Sequence, residues 1–122
     1  MDKEKFKSDF SQRLIMLSLN VIGLCRDLEQ DRTLRIIANQ LIRSVCSIGA
    51  NVSEAKCSSS KKEYARYFGI ALSSANESIY WFILIEKSDK KHTSVAVKLR
   101  IETEEIAKIL ASSLITMKGK RN

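Results

Sequence analysis

Proline is absent from this chain, and only Gly23, Gly49, Gly69 and Gly119 supply glycine among its 122 residues. A β-sandwich or barrel needs a turn roughly every ten residues, and turns draw on those two residue types. Their scarcity excludes such folds and leaves long helices with short connections. Histidine occurs once, at His92. That removes the Glu-x-x-His pairs a di-iron bundle requires, and with them the expectation of a metal or cofactor. Cysteine is sparse and odd in number: Cys25, Cys46 and Cys57 form no C-x-x-C pair, which fits free thiols in a reducing compartment. The longest apolar run, Ile79–Ile85, has seven residues, far below the roughly 20 that span a bilayer. Extended back to Tyr67, it would place Asn76 and Glu77 near its middle. The N-terminal MDKEKFKSDF mixes charges and resembles no signal peptide. The expectation is a cytoplasmic, non-membrane protein of one domain spanning residues 1–122.

Charge is missing locally as well. Ser44–Ser53 carries none, and Tyr67–Ile85 carries only Glu77, although 29% of all residues are charged. A helix bare of charge all round is expected to be covered on more than one side. Where charge is present it is mostly positive, with a net of +7. Residues 1–30 balance, and 91–122 hold +4, ending in Lys118, Lys120 and Arg121. Such an excess suits polyanions, and it also suits a solvated tail.

The apolar periodicity predicts four helices. The first runs from about Lys3 to Glu29, capped by Asp2, with Phe6, Phe10, Leu14, Leu17, Val21, Leu24 and Leu28 on its inner stripe. The connection Gln30–Thr33 is short enough to make the next helix antiparallel. The second, about Leu34–Lys56, carries Leu34, Ile37, Leu41, Val45, Ile48, Val52 and Ala55. Beside that stripe lies a polar one, Gln40, Ser44, Ser47, Asn51, Glu54 and Ser58. The remaining face is small and uncharged: Asn39, Cys46, Ala50, Ser53 and Cys57. Ser60 and Glu63 form a capping-box pattern opening a third helix to about Lys87, with Tyr64, Phe68, Ala71, Ala75, Ile79, Phe82 and Glu86 inward. Ser88–Ser94 reads as a loop. A fourth helix, about Val95–Lys118, buries Leu99, Ile106, Leu110 and Leu114, with Gly119 as a C-terminal cap. The fold class is all-α: an antiparallel up-down-up-down four-helix bundle. Mid-helix glycines beside small residues suggest close approach, either of helix two to helix three or of one subunit to another.

Two strings carry a family resemblance, QLIRSVCSIGANVSEA (Gln40–Ala55) and KKEYARYFGIALSSANES (Lys61–Ser78). They resemble the four-helix-bundle proteins related to those encoded in ribosomal RNA intervening sequences. That family shows QL-x-RSA-x-SI-x-AN-x-xEG and then K-x-x-F-x-x-x-L-x-IA-x-GS-x-xE. Gln40, Leu41, Arg43, Ser44, Ser47, Ile48, Ala50, Asn51 and Glu54 fall on the first pattern; Ile70, Ala71, Ser74 and Glu77 fall on the second. Gly49, Ala55 and Ser73 depart from it at positions that change backbone freedom only. The resemblance implies a helical bundle assembled as a ring-like homo-oligomer, commonly of five, without established enzymatic activity. Its tie to ribosomal RNA is genomic context.

Arg43, Ser47, Asn51, Glu54, Ser74 and Glu77 are therefore expected to form a structural polar network rather than a catalytic site. No serine or cysteine has a histidine nearby in the predicted bundle to act as its base, and no phosphate-binding glycine loop exists. Two functions remain. The first is a non-catalytic oligomeric scaffold whose partner is itself. The alternative is a basic protein binding RNA or another polyanion through Arg32, Arg35, Lys98, Arg100, Lys118, Lys120 and Arg121. Against the alternative, no RNA-binding motif appears, and no aromatic residues interleave with that basic set for base stacking. No small-molecule substrate is expected on either reading.

Overall fold

The computed structural model describes residues 2–119. Four helices account for nearly all of them: α1 (Lys3–Asp27), α2 (Arg32–Lys56), α3 (Lys61–Ser88) and α4 (Thr93–Gly119). The starts of α1, α2 and α3 are each fixed by a side chain that accepts from an orphan backbone N–H. Asp2 accepts from Glu4 N at 3.0 Å, and Ser60 from Glu63 N at 3.1 Å. Asp31 accepts from both Thr33 N and Leu34 N. That cap starts α2 at Arg32, two residues before the apolar stripe indicates.

The expected loop Ser88–Ser94 is shorter than its polarity suggests. Ser88 completes α3, Lys90–His92 makes a single 3₁₀ turn, and Thr93 already begins α4. Asp89 holds this corner by accepting from Lys91 N and contacting His92 Nδ1, while Thr93 Oγ1 lies 2.9 Å from the carbonyls of Glu86 and Asp89. Gly119 is not the expected left-handed cap. It lies in the last turn of α4, and no glycine among the described residues has positive φ.

The four helices pack α1–α2–α3–α4 in antiparallel succession, with the closest association between α2 and α3 and the slightest between α1 and α4. Val21, Leu41, Ile48, Phe82, Ile85, Ile106 and Leu110 are wholly enclosed. Burying each such side chain contributes about 1.5–3 kcal/mol. By length and composition α3 could cross a bilayer, yet here it packs between α2 and α4, with Asn76 and Glu77 near its middle.

Three expectations about the core change. Phe6 is 45% exposed, because the first turns of α1 reach the open end of the bundle. On α3 the inner face turns by one residue, so that Ser78 and Ile85 are buried in place of Ile79 and Glu86. On α2, Ala38 is enclosed while Ile37 is only partly covered. The small, uncharged face of α2 is open to solvent at Cys46, Ala50, Ser53 and Cys57. Absence of charge there reflects small and hydroxylated side chains, not burial within this subunit.

Two arginine forks tie neighbouring helices. Arg13 on α1 donates to Glu102 on α4 at 2.9 and 2.6 Å and reaches Glu105 at 3.2 Å. Arg100 on α4 donates to Glu86 on α3 at 2.6 and 3.2 Å and also to Glu104. Hydrogen bonding to Glu102 and to Glu86, respectively, holds each guanidinium above its ordinary pKa. Paired planar hydrogen bonds of this kind add geometric specificity to the charge attraction.

Cys25 is buried, and its thiol contacts the Ala38 carbonyl at 3.4 Å. Burial, assisted by the nearby Cys46 sulfur, pushes its pKa up to about 11 from 9.0. Cys57 is exposed at the end of α2. Only the thiolate reacts with alkylating agents, so at pH 8 iodoacetamide should modify Cys25 at least about 100-fold more slowly than Cys57. The raised value also means that the neutral thiol stabilises the fold fully below pH 9.0, with the contribution lost as pH rises towards 11. Equal labelling rates before denaturation would contradict this placement.

Candidate functional site

Along the α2–α3 contact runs a seam of polar side chains. Ser44 and Ser78 meet at 2.8 Å, and Ser47 and Ser74 also at 2.8 Å. Arg43 is paired with Glu77. From Ser44–Ser78 to Ser47–Ser74 the numbers rise along α2 and fall along α3, and Arg43–Glu77 flanks the first pair in the same antiparallel register. The spacing explains the match: steps of three and four on each helix return a side chain to the same face.

Proton bookkeeping shows how the inner pair works. Ser44 Oγ also lies 3.2 Å from the Leu41 carbonyl, and Ser78 Oγ lies 2.8 Å from the Ser74 carbonyl. Two hydroxyl protons face three contacts. When Ser44 donates to Leu41, Ser78 donates to Ser44; when Ser78 donates to Ser74, Ser44 donates to Ser78. Either arrangement keeps the bond between helices. It also leaves no hydroxyl unsatisfied in a place where both serines are wholly buried. The small side chains Ala71 and Ala75, fully enclosed nearby, let the backbones approach closely enough for those bonds. Close approach thus comes from serine and alanine. A Cβ on Gly49 would touch only Leu14 of α1, at 3.7 Å, and one on Gly69 would meet nothing within 4 Å. The expectation that these glycines bring α2 against α3 is therefore not met.

Towards solvent the seam becomes an open polar cluster. Asn51 donates to the Ser47 carbonyl at 2.8 Å and to Ser47 Oγ at 3.0 Å. Glu77 accepts from Trp81 Nε1 at 2.9 Å, and Arg43 Nε donates to Gln40 at 3.3 Å. The Glu77 side chain is 36% exposed, although it is the one charge in the otherwise uncharged stretch Tyr67–Ile85. Five of the six expected members, Arg43, Ser47, Asn51, Ser74 and Glu77, do come together. Glu54 does not: it is exposed, and its side chain has no hydrogen-bond partner among the described residues. One turn further along the same register α3 offers Tyr67, whose ring already lies 4.6 Å beneath the Arg66 guanidinium.

The basic residues expected to serve one polyanion surface are dispersed. Arg32 and Arg35 lie at the start of α2, and Lys98 lies near the start of α4, all exposed at one end of the bundle. Lys118 lies at the opposite end, about 30 Å along α4 from Lys98 at 1.5 Å per residue. Arg100 is committed to Glu86 and Glu104, so it does not offer its charge to a phosphate. Lys120 and Arg121 lie outside the described residues. What the linear charge count hides is a gathering of lysines from all four helices at the α1 N-terminal end: Lys3, Lys7, Lys56, Lys61, Lys62 and Lys118, all exposed. Residues 1–30 balance in sequence, which conceals their lysines.

A second surface also escapes sequence reading. Leu14–Cys25 carries no charge, and the structure sets it beside the uncharged middle of α2. Ile15, Ser18 and Leu19 from α1 and Cys46, Gly49 and Ala50 from α2 line an open groove of about 350 Å³. The run was legible in the sequence, but it looks like an ordinary buried stripe until Ile15 and Leu19 are seen to be exposed. No three His, Cys, Asp or Glu side chains converge in metal-binding geometry among the described residues.

A protein-family model described as 23S rRNA-intervening sequence protein matches residues 7–112. Among solved structures, the chain is similar to a protein with unknown function from the S23 ribosomal protein family of Bacteroides thetaiotaomicron. The two are 26% identical and superpose with a TM-score of 0.80, over 86% of this chain and 97% of that one. No curated protein matches.

The seam sets an order of sensitivities. Glu77→Gln keeps an acceptor for Trp81 and loses only a partly exposed charge pair, a cost of about 0.2–1 kcal/mol. Ser78→Leu overfills the narrow contact between α2 and α3 and should cost about 1–3 kcal/mol. Urea denaturation of both variants measures the difference, and the reverse order would show that the open cluster, not the buried serine pair, sets the register.

Proposed function

This chain belongs to the 23S rRNA-intervening sequence protein family, and on that basis we propose that it is a non-catalytic scaffold that assembles with copies of itself into a ring. The observation that carries the reading is a pair of different uncharged faces on one subunit. One is the α1–α2 groove with Ile15, Leu19, Cys46 and Ala50. The other is the outer side of α3, where Ile70, Ser73, Asn76 and Tyr80 are exposed. A closed ring needs two unlike surfaces that fit one another, whereas a two-fold dimer needs only one surface repeated. Mid-helix glycines point the same way. Gly23, Gly49 and Gly69 each cost about 1 kcal/mol relative to alanine, and ordinary van der Waals space exists for a methyl group at every one. Packing within the subunit gives no reason to keep glycine there, whereas close approach by a neighbouring copy does.

Light scattering is expected to give a multiple of 13.8 kDa, fivefold for the ring of five. Ala50→Glu should disperse the assembly and leave each bundle folded, because Ala50 is exposed in the single subunit. Cys46 should then react with iodoacetamide faster in the variant than in the parent. A monomeric parent would refute the scaffold.

The second reading, a polyanion ligand, is favoured by one observation, the lysine gathering at the α1 N-terminal end. In a ring those charges would be multiplied by the number of subunits. Phosphate contacts release counterions, so binding to labelled ribosomal RNA should weaken steeply as salt rises from 50 to 200 mM. Retardation that ignores salt, or none at low salt, would eliminate this reading.

A further inference from the structure

Four segments remote in sequence meet at the same end: the first turns of α1, the last of α2, the first of α3 and the last of α4. Between them lies a cleft of about 210 Å³. Its walls are two aromatic pairs. Phe6 and Phe10 stack with ring centroids 6.3 Å apart at 7°, and Tyr64 and Phe68 stack at 4.8 Å and 23°. Val52, Ile109 and Met117 complete the apolar lining. Every charged residue that lines it is a lysine, Lys3, Lys7 or Lys56, and an adjoining opening beside Phe6 and Tyr64 adds Lys108.

None of these four lysines forms an ion pair among the described residues; the bridges there use Arg13, Arg43, Arg100 and His92. Lys56 donates to the Ser11 hydroxyl, a neutral partner that leaves its charge uncompensated. Burial pushes the Tyr64 phenol up, so it remains a protonated donor at neutral pH. A cavity of about 150 Å³ admits benzene, and drug-sized sites begin near 300 Å³. This cleft therefore suits one ring or a short alkyl chain.

We propose that it binds a small amphipathic monoanion, an aryl or medium-chain alkyl carboxylate, with its apolar body between the aromatic pairs and its carboxylate on the lysine rim. Charge complementarity selects the anion, and the largely hydrocarbon walls select its body. A nucleobase is less well matched, because its edges carry several donors and acceptors that such walls leave unpaired. The cleft shares Val52 and Lys56 with the end of the α1–α2 groove, but its aromatic walls and Lys3 and Lys7 lie outside that groove, so the proposal does not depend on the assembly reading.

The probes are octanoate and octanol, titrated by calorimetry into the full chain at low salt. Octanoate should bind, and octanol, with the same chain and no charge, should bind at least about tenfold more weakly. Lys3→Glu and Lys7→Glu should each weaken octanoate about threefold to tenfold, the range expected for exposed charge contacts. Phe6→Ser should weaken octanoate as well. Lys3, Lys7 and Phe6 are exposed, so cooperative thermal melts are expected for every variant. Octanoate should raise the melting temperature of the parent by linkage, which ties the binding to the folded protein. Octanol binding as tightly as octanoate would overturn the proposal, as would charge reversals that leave octanoate affinity unchanged. Binding of an unpaired RNA oligonucleotide that Phe6→Ser weakens, without binding of octanoate, would overturn it in favour of the nucleic acid.

Discussion

The distance between α2 and α3 governs the rest of this molecule. Buried serine pairs work at this contact only because both partners are short and each can donate in either of two arrangements. Longer side chains would part the backbones, and apolar ones of the same size would give no bond to specify register. Once Ser44 meets Ser78, the antiparallel register follows. It brings Ser47 to Ser74 and Arg43 to Glu77, and it turns Phe82 and Ile85 into the core. The burial of a few hydrocarbon side chains exceeds any polar term in magnitude. The polar seam decides which burial occurs.

Charge is used in two distinct ways. Arginine forks cross between helices, Arg13 from α1 to α4, where packing is thin, and Arg100 from α4 to α3, where it is close. Their planar geometry suits bridging two carboxylates from a partly covered position. Lysines form no ion pair among the described residues. Lys3, Lys7, Lys56, Lys61, Lys62 and Lys118 gather at one end of the bundle, and Lys87, Lys90, Lys91 and Lys98 at the other. At the first end apolar surface stays open beside them, at Phe6 and Tyr64.

Much of the architecture was readable from residue spacing. Helix number and order follow from stripes such as Leu14, Leu17, Val21 and Leu24, because a period near 3.6 admits no other structure at that length. Five of the six residues expected in the polar network do meet, since Ser47 and Asn51 recur at helical spacing on α2 and Ser74 and Glu77 do so on α3; Ser78 and Trp81 join them only in the structure. Glu54 fits that spacing equally well, yet it is exposed and its side chain joins no hydrogen bond among the described residues. Arg100 shows the same limit. A basic residue in sequence says nothing of whether Glu86 lies beside it.

Periodicity, caps and the absence of turn formers were thus sufficient for four antiparallel helices, and the Gln40–Ala55 and Lys61–Ser78 strings were sufficient for the family. These are local properties, set within a few turns of one chain segment. Tertiary structure alone decided which uncharged stretches are enclosed and which face water. It decided likewise which arginines are already paired and which lysines share an end with an aromatic cleft. Each of those depends on residues of different helices meeting across the bundle, from 14 positions apart for Glu86 and Arg100 to 89 for Arg13 and Glu102, and no pattern within a single helix records its neighbour.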